Sequence, residues 1–133
     1  MLQRLQLPHL QAEGYVNLRC AWILGCPSEM TPQIPSSPSV SSKTFRIPAA
    51  AANSHAVIET AYGLAFAELF PNTPVPPTVA VSCCAQFALT RAKVLERPRA
   101  DYERYRRWLL DSRWPDDVTG RILEYMWHSM FSP

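Results

Sequence analysis

Between Thr78 and Cys84 the chain runs through β-branched and small apolar residues, TVAVSCC, directly behind Pro74, Pro76 and Pro77. A short continuous apolar run stopped by prolines predicts a strand buried on both faces. Such strands lie inside a sheet with helices on each side, and ligands gather at their carboxyl ends. Cys84, Ala85 and Gln86 occupy that end. A polar Gln86 just past a buried strand must find a partner, either neighbouring backbone or a ligand.

Helical spacing shapes much of the remainder. Val57, Ile58, Ala61, Tyr62, Ala65, Phe66, Leu69 and Phe70 recur at three- and four-residue steps. Asn53 or Ser54 can cap that helix, and Pro71 stops it. Past Cys84, Phe87–Arg91 turns outward. A short helix over Arg91–Arg97 ends at Pro98, and Asp101 opens DYERYRRWLLDS with an apolar stripe of Tyr102, Tyr105, Trp108 and Leu109. A final helix starts near Thr119 as N-cap. Its broad apolar face is Ile122, Leu123, Met126, Trp127, Met130 and Phe131. Its other side carries Asp117, Arg121, Glu124 and His128 in a polar ladder. Glu124 and His128 at i and i+4 form a surface charge ladder, or present a carboxylate and an imidazole to one point as general base or metal ligands.

The first block, 1–27, gives a weak helical pattern of leucines cut by Pro8, then GYVNLRCAW, whose apolar residues suit a short strand ended by Gly25-Cys26-Pro27. Arg19 there is a solvated edge residue or an anion contact. Residues 28–53 are rich in serine and proline and sparse in charge, so they read as a mobile linker or an insertion that buries little apolar surface. Residues 54–133 hold the α/β core and the C-terminal helices. The fold class is thus mixed α/β, mostly helical around one central and one weaker strand.

Composition narrows the function classes. With 13 Lys plus Arg against 11 Asp plus Glu in 133 residues, no strong field points to nucleic acid. The acids interleaved among the arginines of 101–112 make a solvated helix face rather than a nucleic-acid surface. No apolar run approaches the roughly 18 residues of a membrane span, and the N-terminus lacks a signal-peptide core. Compartment is not legible. Cys83 and Cys84 are adjacent and point to opposite faces of a strand, while Cys20 and Cys26 lack zinc-type spacing. Buried thiols suit all four, with a Cys20–Cys26 disulfide as the alternative in a secretory parent.

GYVNLRCAW with GCP, CCAQFALTR, DYERYRRWLL and GRILEYMWH together resemble the C-terminal half of a fungal family known as a domain of unknown function. That family is similar to distant glycosyltransferases with a nucleotide-sugar-binding α/β fold. The resemblance implies a partial domain whose N-terminal half, with the first strands of the sheet, is missing. It places Gln86, Arg91 and Arg121 as substrate contacts, Glu124 as the candidate base and His128 as a metal or phosphate contact. A divalent metal and a nucleotide-sugar are implied only where the missing half is present, and no Asp-x-Asp motif occurs; Asp116-Asp117 is expected in a loop. The expectation is a glycosyltransferase-like fragment not competent for catalysis alone. The alternative is a non-catalytic interaction or structural module, with a protein partner or the missing half completing the sheet.

Overall fold

In a computed structural model, residues 5–18, 30–35, 40–48, 54–81 and 85–131 are described. Five helices and two short strands appear among them. In chain order these are α1 (Leu7–Glu13), β1 (Tyr15–Asn17), α2 (His55–Leu69), β2 (Phe87–Leu89), α3 (Arg91–Glu96), α4 (Arg99–Asp111) and α5 (Asp116–Phe131). Pro8 lies in the first turn of α1, where its missing N–H is harmless. The helix ends at Gly14, whose φ of 75° only glycine adopts freely and whose N–H bonds back to Leu10 O at 2.8 Å. A side chain at Gly14 would also run into Lys93.

Strands β1 and β2 pair antiparallel, with Tyr15 opposite Leu89, Val16 opposite Ala88 and Asn17 opposite Phe87. Backbone bonds from Thr90 N to Gly14 O and from Leu18 N to Gln86 O extend the pairing at both ends. Tyr15 and Phe87 are diagonal neighbours on one face, with centroids 5.6 Å apart. That face lies on α5: Phe87 stands 5.3 Å from Trp127 and 5.5 Å from Phe131, and Tyr15 stacks on Phe131.

The core forms where α2 meets α4 and α5. Ala61 to Phe66 are all buried, so α2 is covered on several sides rather than along one stripe. Tyr62, Leu69, Val118, Ile122 and Met126 are almost wholly enclosed. Tyr105 from α4 and Trp114 from the α4–α5 turn close the cluster.

Several expectations change here. Residues 78–81 form no doubly buried strand. Val79 makes one isolated antiparallel bridge to Met30 and is buried, whereas Thr78 and Ala80 are exposed. The prolines upstream lack ladder donors, and alternate residues face out, as in a half-buried extended segment. The second strand of the sheet is Phe87–Leu89 instead, where an outward turn was expected. Residues 28–53 also bury more than their composition suggests. Met30 is 1% exposed, and Val40, Phe45 and Ile47 pack against the core. Leu109 is more exposed than a stripe residue should be. Helix α4 starts at Arg99, with Asp101 in its first turn beside the N-terminal end of the dipole. Helix α5 starts about a turn before Thr119. Asp116 and Asp117 open it rather than lying in a loop, and Thr119 is buried with its hydroxyl donating to Pro115 O and Asp116 O. The Gly25–Pro27 turn and residues Arg19, Cys20, Cys26, Asn53, Cys83 and Cys84 lie outside the described residues.

Candidate functional site

Gln86 and Arg91 flank β2. Gln86 is exposed, and its backbone carbonyl accepts from Leu18 N at 2.8 Å, which extends the sheet by one bond. Arg91 is the exposed first residue of α3. That helix is held by Thr90, whose hydroxyl accepts from Lys93 N at 3.2 Å.

On α5, Arg121 Nε lies 3.6 Å from Glu124 Oε2. The Arg121 side chain is largely solvated, and that of Glu124 is partly buried. His128 is half-buried, and its Nε2 lies 3.1 Å from Ser129 Oγ. Burial lowers the His128 pKa below the ordinary 6.5, and a hydrogen bond with the Tyr125 backbone works the other way. The imidazole is therefore neutral at pH 7. Phe87 on Trp127 sets the end of β2 beside this helix, one residue from Gln86 and one from His128. Among the described residues no three His, Cys, Asp or Glu side chains converge as metal ligands.

A separate depression of about 190 Å³ opens on another face, and none of those five residues lines it. Arg104, Arg107 and Trp108 of α4 form one wall, and Arg113 follows from the turn after the helix. Lys43 faces them from a tight turn at 41–45, closed by Phe45 N to Ser41 O at 2.8 Å. That turn is tied to α2 because Ser42 donates both its N–H and its hydroxyl to the Glu68 carboxylate. Arg104 is also pinned: its Nε donates to Leu69 O at 3.1 Å and its Nη2 lies 2.8 Å from Asp101. Lys43, Arg107 and Arg113 make no ion pair among the described residues. Asp111 stands exposed on the rim.

Sequence reasoning missed this depression. The arginine density of RYRRWLLDSR is visible in the sequence, but interleaved acids give it the pattern of a solvated face, and Lys43 lies in a Ser/Pro-rich stretch with no periodicity to mark it.

Helices around one aromatic-rich core, a short antiparallel strand pair and a basic depression define a mostly helical α/β domain. No described helix is long and apolar enough to cross a membrane. The chain belongs to the DUF3431 family, described as proteins of unknown function, and the match spans residues 1–133. Comparison with curated proteins and with solved structures finds no match.

Proposed function

We propose that the chain is a glycosyltransferase-like domain in which α5 and the end of β2 form a sugar-facing wall, and which does not transfer sugar alone. The observation that supports this is the packing of Phe87 against Trp127 and Phe131. It brings the strand end carrying Gln86 next to the helix carrying the polar ladder. On this reading Glu124 is the base, with Arg121 Nε 3.6 Å from its carboxylate. Gln86, Arg91 and Arg121 contact substrate. His128, kept neutral by burial, offers a ring nitrogen to a hydroxyl or phosphate oxygen.

The test is an amide chemical-shift titration of the full chain with uridine diphosphate glucose. Shifts are expected to cluster at Gln86, Arg91, Arg121, Glu124 and His128, without release of uridine diphosphate above background. Glu124→Gln should leave stability within about 0.5 kcal/mol while altering those shifts. If the five residues stay unperturbed at saturating ligand, the sugar-facing wall is rejected. A non-catalytic interaction module is then the better account, favoured by consecutive Leu109 and Leu110 on α4, which are 41% and 64% exposed.

A further inference from the structure

The basic depression plays no part in that reading, and its charge asks for a ligand. Four cations line it against two carboxylates, Glu68 and Asp111. Glu68 is already occupied by both Ser42 donors. Lys43, Arg107 and Arg113 thus face one concavity without an ion pair among the described residues, and the lining carries two more positive than negative side chains. Guanidinium forks match phosphate oxygens in paired, charge-assisted hydrogen bonds.

Three further features narrow the class. Sites for drug-sized ligands run to about 300–1,000 Å³, and 190 Å³ is smaller. That size suits a single ring bearing one phosphate better than a nucleotide diphosphate. Trp108 supplies an apolar wall for a ring, and it is held in place by an edge contact with Trp114 at 6.0 Å. Asp111 would repel a bare anion, yet it can accept hydrogen bonds from sugar hydroxyls.

We propose that this depression, between the 41–45 turn and the C-terminal half of α4, binds a phosphorylated monosaccharide. The arginines and Lys43 hold the phosphate, Trp108 lies along the ring, and Asp111 accepts from a hydroxyl. Two of its anchors are built in before any ligand arrives. The Ser42–Glu68 hydrogen bonds position Lys43, and the Leu69 carbonyl with Asp101 holds Arg104.

The test is isothermal calorimetry on the full chain with glucose 6-phosphate, with inorganic phosphate and glucose run in parallel. The expected result is 1:1 binding of glucose 6-phosphate, at least about tenfold tighter than either fragment. The double variant Arg107→Gln, Arg113→Gln should weaken it at least about tenfold. Both arginines are exposed, so an unchanged circular dichroism spectrum is expected of the variant. In wild type, raising the salt concentration should weaken binding too, a readout independent of any variant's folding. Absence of binding, equal affinity for inorganic phosphate, or a double variant that binds as wild type would each overturn the proposal. None of these outcomes bears on the α5 residues, which the nucleotide-sugar titration probes separately.

Discussion

His128 shows how one residue's environment sets a measurable property of the molecule. Its ordinary pKa is 6.5, and burial lowers it in the folded chain. Well above pH 6.5 both folded and unfolded states hold a neutral ring, so the group contributes nothing to pH dependence there. As pH falls through 6.5 the unfolded chain takes up a proton that the folded chain resists. Stability is then lost until the folded pKa is passed. Urea midpoints at pH 7.5 and 5.5 should therefore differ more in wild type than in His128→Gln; equal differences would mean the ring is not desolvated. The i, i+4 spacing of Glu124 and His128 is legible from the sequence alone. The partial burial of both side chains is not, because burial depends on what lies across from a helix position.

At the scale of elements, Gly63 in the middle of α2 carries an instructive conflict. A mid-helix glycine costs about 0.5–1 kcal/mol relative to alanine. A Cβ at Gly63, however, would stand 2.5 Å from the Gln33 carbonyl oxygen. The 30–35 segment lies directly on this helix. Gln33 N donates to Glu59 O at 3.2 Å, and Thr31 N donates to Glu59 Oε1 at 2.7 Å. Overpacking of backbone costs about 1–3 kcal/mol and so outweighs the helix-propensity gain. Gly63→Ala should destabilise the chain in urea unfolding. A stabilised variant would show that residues 30–35 do not rest on α2. The composition of 28–53 hid this contact. Few residues there are apolar, but Met30, Phe45 and Ile47 meet the core, and Trp114 Nε1 donates to Phe45 O at 2.9 Å.

At the scale of the whole molecule, Arg97 joins three helices. Its Nε donates to Met130 O at 2.8 Å and its Nη2 to Ser129 O at 3.0 Å, satisfying carbonyls that the end of α5 leaves unpaired. Its Nη1 lies 3.3 Å from Asp101 on α4, and the guanidinium lies over the rings of Phe70 and Tyr105. A lysine carries the charge but cannot serve two carbonyls and two rings from one planar fork. Arg97→Lys is expected to lose about 1–3 kcal/mol, seen as a lower thermal midpoint. A midpoint equal to wild type would mean that charge alone holds the three helices together.

The helices were largely determined by the sequence. Apolar spacing, Pro71 and Pro98 act within a few residues of where they stand, so α2 and α3 fall where the pattern puts them, and α4 and α5 differ only at their starts. The strand pair was decided by tertiary structure. The apolar residues of GYVNLRCAW mark β1, but the three residues of β2 carry too little periodicity to mark a strand, and the two pair only after the chain has passed through α2. TVAVSCC had the stronger local signal, yet its described residues make a single bridge, from Val79 to Met30. The basic depression is likewise nonlocal. Lys43 reaches Arg107 and Arg113 because the Ser42–Glu68 bonds fasten its turn to α2, and no spacing along the chain encodes that meeting.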